Sequence, residues 1–199
     1  MSIKNTLSKF RIPKSELIQI LIAWLGITFA FSWKGFNFSL MLHYLPMILV
    51  GTLTGFIVHE LAHKFTAMHY GAFAEFVMWP AGLIAAIVLS FVTNGMFVFA
   101  APGAVYISGT HITRRQNGII SIAGPLSNLI LALVFILLVA IIPVAAIKSI
   151  FFGAAYINIF LGLFNMLPIP PLDGYKVLSW NPIAWGSLGG ILIALFFML

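Results

Sequence analysis

The sequence contains no cysteine among its 199 residues, and only 7% of its residues are charged. Without cysteine, neither a disulfide framework nor a thiolate metal site can form. Ordinary soluble domains carry about 25% charged residues, whereas 62% of this chain is hydrophobic. The composition therefore excludes an ordinary soluble domain and predicts a protein that crosses a membrane several times.

Acidic residues are scarcer than basic ones: the chain has four of the former against ten lysines and arginines. Because the cations flank apolar runs, we interpret them as interfacial anchors and predict no nucleic-acid partner. Glu16 borders the first apolar run and requires no special explanation there. The other three carboxylates, which do require one, are Glu60, Glu75 and Asp173.

Apolar runs of helix length predict most of the fold. Five of them cover residues 17–33, 44–70, 118–142, 149–167 and 182–199. Residues 81–93 are apolar but short for a crossing, which takes about 20 residues, so a sixth helix there is either re-entrant or complete. Residues 96–113 are rich in β-branched and aromatic residues and predict strands or a hairpin. The fold class is therefore an all-α polytopic membrane protein with five to six transmembrane helices and a small membrane-associated β-hairpin or strand element.

The basic residues also predict an orientation, because lysine and arginine concentrate on the cytoplasmic side. A cytoplasmic N-terminus places most cations inside, namely Lys4, Lys9, Arg11, Lys14, Arg114, Arg115 and Lys176. Only Lys34 and Lys148 then lie outside. We expect a multi-pass protein of the cell membrane, in which the end of the second span and the segment "PPLDG" share the cytoplasmic side.

The segment "HELAH" places two histidines and a glutamate inside a predicted span. His59 and His63 are four residues apart, so both imidazoles lie on one helix face and can reach one ion. Glu60 is offset around the helix and can address a water without binding the ion, as in zinc metalloproteases. Chance occurrence on a solvated helix is a weak alternative here, because a carboxylate within a span costs at least about 2.5 kcal/mol.

A catalytic zinc site requires a third protein ligand, and two acids are candidates. Glu75 lies at a probable strand start, where a solvated or interfacial position is expected. Asp173 follows Pro168, Pro170 and Pro171, which break a helix and can turn a side chain inward. On its own, Asp173 is better explained by a turn or by the cap of a helix that starts at Gly174; the nearby two-histidine site, which lacks a third ligand, makes ligation the better interpretation. His43, His69 and His111 are interpreted as interfacial residues.

Together these motifs resemble the site-2 protease family of intramembrane zinc metallopeptidases. The family's second motif, Asn-x-x-Pro-x-x-x-Leu-Asp-Gly, is matched in register by "NMLPIPPLDG", residues 165–174. "AGPLSN", residues 123–128, resembles the Gly-x-x-x-Asn element of the intervening span. The resemblance covers about residues 51–176.

The resemblance implies one Zn²⁺ per chain, bound by His59, His63 and Asp173, with Glu60 as general base. It implies that Asn165 holds the substrate or the oxyanion and that Asn128 supports the same polar pocket. It further implies that residues 96–113 contain an edge strand along which a substrate lies extended. We expect that substrate-binding edge at Gly103, Ala104, Val105, Tyr106, Ile107 and Ser108.

The implied activity is hydrolysis of peptide bonds in transmembrane protein substrates, within or near the bilayer. The chain is expected to be a single transmembrane metalloprotease domain over residues 1–199, without the PDZ or CBS domain of many relatives. Recognition then comes from the membrane portion, an adaptor or a second copy of the chain. Two alternatives stay open: a membrane zinc transporter, in which Glu60 would have no role, and a non-catalytic scaffold of the same fold.

Overall fold

A computed structural model describes residues 12–98, 101–108 and 112–199 of the chain. His111, Gly109 and three of the N-terminal cations (Lys4, Lys9 and Arg11) lie outside the described residues. The elements in chain order are α1 (Lys14–Ser32), α2 (Phe38–Thr52), a π-helical segment (Leu53–Val58), α3 (His59–His69), β1 (Phe73–Met78), α4 (Pro80–Val92), β2 (Gly103–Ser108), α5 (Arg114–Ile141), α6 (Ala145–Asn165), α7 (Asp173–Trp180) and α8 (Pro182–Met198).

Among the described residues, four helices are long and apolar enough to cross a membrane: α1, the continuous helix Phe38–His69, α5 and α6. The predicted mostly helical membrane fold is therefore confirmed. Two further apolar helices, α4 and α8, have only 13 and 17 residues. By length and composition they do not qualify as spans, so the predicted number of five to six spans is not confirmed. The second span begins six residues earlier than expected, because Asn37 caps its start by accepting a hydrogen bond from the Leu40 N–H.

Local sequence signals explain where the helices around the site begin. Thr113 and Gln116 form a reciprocal capping box at the start of α5. Asn181 caps α8 by accepting from two backbone N–H groups, and Pro182 occupies the first helical position, where no N–H is needed. These caps hold α5 and α8 against the turn that carries Asp173.

The second span changes its winding just before the predicted metal ligands. Residues Leu53–Val58 are π-helical, and regular α-helix resumes at His59. Such π segments inside helices are frequent at functional sites. The span ends at His69, after which Gly71 adopts a φ of +82° that an L side chain rarely adopts. This glycine turns the chain directly into β1.

The sheet has two antiparallel strands in the described residues. β2 pairs with β1, with Val105 opposite Phe76, and α4 lies in the connection between them. The expectation of a hairpin within 96–113 is wrong, because the partner of β2 precedes it by a whole helix. A strand element with β-branched and aromatic residues is confirmed over 103–108.

Glu16 is the main surprise among the charged residues. Its side chain is completely buried, pairs with Lys64 of α3, and accepts a hydrogen bond from the Phe76 N–H at 3.0 Å. Gln19 accepts similarly from Met78. The interpretation of Glu16 as an unremarkable border residue is therefore wrong: a buried charge requires a partner, and this one links α1 to the ligand-bearing helix and to β1.

The core lies between α1, the second span and α6. Gly51 and Gly55 permit close packing there, since a Cβ at either position would come within 2.7–2.8 Å of Ile157 or Leu161. These two glycines, four residues apart, therefore form a small-residue face on which α6 packs closely. On the opposite side of α5, the Trp185 indole donates to the Met166 carbonyl at 2.8 Å. This contact anchors α8 over the turn that precedes Asp173.

Candidate metal centre

His59 and His63 lie one turn apart on α3, as the sequence predicts. Their Nε2 atoms are 3.0 Å apart, and both side chains are buried. The third predicted ligand, Asp173, brings its Oδ2 atom to 3.0 Å from His63 Nε2 and 3.2 Å from His59 Nε2. In the part of the chain that the structure describes, these three residues are the one group whose ligand atoms converge in this way, all within 4.8 Å of one another.

Asp173 reaches the histidines because of the turn before it. The chain leaves α6 at Asn165, passes through the proline-rich segment and starts α7 at Asp173 itself. Leu172 is the cap residue of α7 and no side chain caps it, so the interpretation of Asp173 as a helix cap is wrong. Gly174 is required next, since a Cβ there would collide with the Met166 carbonyl.

The charge state of Asp173 follows from its surroundings. Burial raises the pKa of this carboxyl, but the imidazoles of His63 and His59 outweigh burial and hold the pKa below its ordinary value. The group is therefore a carboxylate at neutral pH, which is the form that binds a metal.

Each histidine has a hydrogen-bond acceptor on its far side. His59 Nδ1 lies 2.6 Å from Asn128 Oδ1, and His63 Nδ1 lies 2.7 Å from the Ile120 carbonyl. Both Nδ1 atoms therefore carry a hydrogen and both Nε2 atoms face Asp173, so in the neutral rings the Nε2 lone pairs are the ones directed to a metal. Partners of this kind orient metal-binding histidines and raise their basicity.

The arrangement fits a small divalent cation. Two imidazole nitrogens and one carboxylate oxygen converge on one point, and these are atoms that zinc takes as ligands. The three atoms are 3.0–3.2 Å from one another. Two ligands of a tetrahedral zinc ion are expected to lie about 3.3 Å apart, because each bond to the ion is about 2.0–2.2 Å long. Gly124 adds a second indication, because a Cβ at this position would collide with His63 Nε2 and lie 2.6 Å from His59 Nε2. The glycine keeps open the space that an ion needs.

Glu60 is buried beside the ligands without joining them. Its Oε2 atom has no hydrogen-bond partner among the described residues, and the backbone N–H of Val105 interacts with the carboxylate. An unpaired carboxylate oxygen in an apolar setting is costly. Its position next to three groups that could hold a metal ion is the arrangement that a general base requires.

One cavity of about 110 Å³ joins these groups. Its polar lining residues are His59, Glu60, His63, Asn117, Ser121, Asn165, Asp173 and Lys176. Asn165, predicted to contact substrate, lies at the cavity wall and donates one N–H to the Leu161 carbonyl at 3.0 Å. A carboxamide has two N–H donors, so the second is available to a bound molecule.

β2 forms another wall of the cavity with four of the six predicted residues: Gly103, Ala104, Val105 and Ile107. The outward N–H of Phe76, bonded to Glu16, shows that the Phe76–Val105 pair does not exchange ladder hydrogen bonds. The backbone groups of Gly103, Val105 and Ile107 therefore point away from β1. The described residues contain no third strand to cover this edge.

The remaining predicted residues lie elsewhere. Asn128 is fully buried behind His59 and does not line the cavity. Tyr106 and Ser108 do not line it either, and Tyr106 is 62% exposed. Glu75, His43 and His69 stand apart from the ligand cluster, as expected.

The sequence did not identify two groups that contact the site, the Ile120 carbonyl and the Asn158 side chain. The Ile120 carbonyl has no side-chain signature, so no sequence pattern could identify it. Asn158 lies in the middle of an apolar run and contacts Asn128. Its signal was available, because an amide within a span is expensive unless it has a partner.

Comparisons with known proteins agree with this chemistry. The model of peptidase family M50 matches residues 142–181, which carry Asn165 and Asp173. Three relatives share the name "Putative zinc metalloprotease": MJ0611 of Methanocaldococcus jannaschii, YwhC of Bacillus subtilis and Rip2 of Mycolicibacterium smegmatis. No solved structure gave a significant match.

The relatives differ in how much of the chain they cover. MJ0611 is 45% identical over 184 residues, which are 92% of this chain and 93% of that protein. YwhC is 28% identical over 68% of each chain. Rip2 is 31% identical over 67% of this chain and 56% of its own length. On the near-complete match to MJ0611 and the M50 match across the Asp173 turn, the chain belongs to peptidase family M50, the site-2 protease family of zinc metalloproteases.

Proposed function

We propose that the protein is an intramembrane zinc metalloprotease that hydrolyses peptide bonds of transmembrane protein substrates within or near the bilayer. The observation that carries the proposal is the unpaired Oε2 atom of Glu60 beside three converging candidate ligands, in a cavity bordered by the outer edge of β2. Regulated intramembrane proteolysis is the process that such an enzyme serves.

His59, His63 and Asp173 would hold one Zn²⁺ per chain, with their acceptor atoms already facing one point. When bound, zinc lowers the pKa of water towards about 7 and polarises a carbonyl group. The chain's own contribution is a ligand set fixed by Asn128, Ile120 and the turn before Gly174.

Glu60 would accept a proton from water and later deliver it to the leaving nitrogen. Its unpaired Oε2 leaves one position free for this transfer. Asn165 would donate its second N–H to the oxygen of the scissile carbonyl as negative charge develops there. Water must reach the cavity, and the exposed side of Lys176, 42% accessible at the cavity wall, supports a path from the aqueous side.

A transmembrane helix hides its peptide bonds, so the substrate must be extended locally before cleavage. The outward backbone groups of β2 offer hydrogen bonds to such a segment, in the manner of strand addition. Pairing is directed to β2 because Glu16 and Gln19 occupy the corresponding edge of β1.

The proposed topology has a cytoplasmic N-terminus and a cavity that opens towards the cytoplasm. The N-terminal half of α3, the C-terminal end of α6 and the N-terminal part of α5 meet around the cavity, and Arg114 at the start of α5 donates to the Ser179 carbonyl of α7. In this topology α8, with 17 residues, is a fifth span and α4 is re-entrant. All of these parts form one domain over residues 1–199.

The decisive experiment is Glu60→Gln in purified protein, assayed against a panel of membrane-spanning peptides. Zinc content should be retained, since Glu60 is not a ligand, whereas hydrolysis should fall by about 10²–10⁴-fold, the usual contribution of a general base. Glu75→Gln is the matched control, because Glu75 lies on β1 outside the cavity, and it should cleave normally. Hydrolysis that survives Glu60→Gln would contradict the proposal, as would zinc transport that is insensitive to the substitution.

A further inference from the structure

A line of buried amides extends from the metal centre into the middle of the protein. Asn158, on α6, is fully buried, and its Oδ1 lies 3.2 Å from Asn128 Nδ2. Its own amino group donates to Thr54 Oγ1 and to the Ala154 carbonyl, both at 2.9 Å. Thr54 in turn donates to the Val50 carbonyl at 2.8 Å. Asn158 touches neither a metal ligand nor the cavity.

Each group in this line donates a hydrogen bond to the next, from His59 to Asn128, then to Asn158, Thr54 and the Val50 carbonyl. Asn128 donates its two amino hydrogens to the Gly55 carbonyl, at 2.9 Å, and to Asn158 Oδ1. Its Oδ1 is then the atom that faces His59 Nδ1. His59 must donate to an oxygen, so its hydrogen is on Nδ1 and its Nε2 keeps the lone pair that a metal needs.

The opposite orientation of Asn128 is excluded by what surrounds it. A rotated amide would place its oxygen against two other acceptors, the Gly55 carbonyl and Asn158 Oδ1. Unpaired acceptors are costly when they are buried, because neither protein donors nor the surrounding hydrocarbon replace the lost hydrogen bonds. Asn158 is one of the two groups that impose this orientation, and it is itself held in place through Thr54.

The π-helical segment contributes to the same arrangement. Thr54 and Gly55 both belong to it, one as the acceptor for Asn158 and the other as the acceptor for Asn128. The altered winding thus presents two polar groups towards α5 and α6 immediately before His59. An apolar residue at position 158 would leave the amide of Asn128 with one acceptor fewer.

We propose that Asn158 is a positioning residue that fixes the orientation of the Asn128 amide and, through it, the Nδ1–H tautomer of His59. Metal affinity of the centre then depends on a side chain remote from both the metal and the substrate. The inference rests on the proposed zinc site, and it does not require that the protein hydrolyse anything.

The test measures the histidine directly. Protein with ¹⁵N-labelled histidine is prepared metal-free in detergent, and the His59 ring signals are identified by their loss in His59→Gln. Zinc affinity is measured by competition with a chromophoric chelator. Asn158→Leu should move the His59 signals towards a mixture of tautomers and weaken zinc binding by about 10- to 100-fold, as for other residues that orient ligands.

Two threonines provide a matched pair of variants in case Asn158→Leu does not fold. Thr54→Val removes the acceptor that holds Asn158, and should shift the His59 signals in the same direction by a smaller amount. Thr52→Val removes a hydroxyl two residues away that bonds to Thr28 and Trp24 and has no connection to the site. It should leave tautomer and zinc affinity at the wild-type values.

Three outcomes would overturn the proposal: unchanged His59 signals and zinc affinity in Asn158→Leu, unchanged signals in Thr54→Val, or an equal loss in Thr52→Val, which would indicate general loosening of the helix. These three outcomes differ from the result that would contradict the protease proposal. A wild-type protein that binds zinc and cleaves no peptide would overturn the protease proposal and leave these measurements unaffected.

Discussion

At the residue scale, Gly124 decides whether an ion has room. The element "AGPLSN" places Gly124 and Asn128 four residues apart on α5, so that both face α3. One residue leaves space in front of the imidazoles, and the other bonds His59 from behind. The Gly-x-x-x-Asn spacing is thus explained by two contacts on opposite sides of the same histidine.

Gly124→Ala should reduce zinc binding severely. The added Cβ would overlap the Nε2 atoms of His59 and His63, and packed interiors do not absorb such an overlap without displacing a side chain. Zinc content after purification should fall at least about tenfold while the thermal unfolding temperature of the metal-free protein stays near the wild-type value. Normal zinc content in Gly124→Ala would show that the ion binds elsewhere.

Single residues also show what the sequence could and could not predict. The convergence of His59, His63 and Asp173 was predictable from short stretches of sequence. The spacing of the two histidines and the prolines before Asp173 each indicate a metal ligand within a few residues. The burial of Glu16 was not predictable, because its partners lie far along the chain. They are Lys64, 48 residues away, and the backbone N–H of Phe76 on β1. Asn158 differs from Glu16, because an amide within an apolar run is a visible signal of a buried partner; only the identity of its partners, Asn128 and Thr54 on other helices, was beyond the sequence.

At the element scale, the two strands differ in which edge is available. α1 covers the outer edge of β1 through Glu16 and Gln19, while the outer edge of β2 borders the cavity. The sequence predicted strands or a hairpin within 96–113 from composition, but not the partner strand at Phe73–Met78, because pairing across an intervening helix leaves no local pattern. The register matters for function, since it determines which backbone groups of β2 point outward.

Ile107→Pro tests whether this edge binds substrate. Ile107 pairs with Ala74 at a position where its N–H points away from β1, so proline removes an outward donor and leaves the ladder intact. Cleavage of membrane-spanning peptides should fall at least about tenfold, with zinc content unchanged. Ile107 is preferable to Val105 for this purpose, because the Val105 N–H also interacts with Glu60.

The control for Ile107→Pro is Val77→Pro on β1, whose N–H lies within the ladder opposite Ala104. This variant should lose both thermal stability and cleavage, because the sheet itself is broken. Full cleavage by Ile107→Pro at normal stability would rule out the outward edge of β2 as the substrate-binding surface.

At the scale of the whole molecule, the arrangement places a polar cavity at one end of an apolar bundle. α6 has 21 residues, so its two ends are about 30 Å apart, the thickness of the hydrocarbon core. Asn165 at one end contributes to the cavity, whereas Ser149 lies near the other end and is exposed. Lys176 lies at the cavity end and Lys148 at the end near Ser149, and the proposed topology places the cavity end in the cytoplasm.

The absence of cysteine makes this orientation directly measurable, since a single introduced thiol is labelled against no background. Ser149→Cys and Ser179→Cys are conservative changes at opposite ends of the bundle, with Ser179 on α7 beside the cavity. In intact cells a membrane-impermeant maleimide should label Ser149→Cys at once and Ser179→Cys only after permeabilisation. The reverse pattern would place the cavity outside the cell, and substrates would then have to present their cleavage sites at the outer face of the membrane.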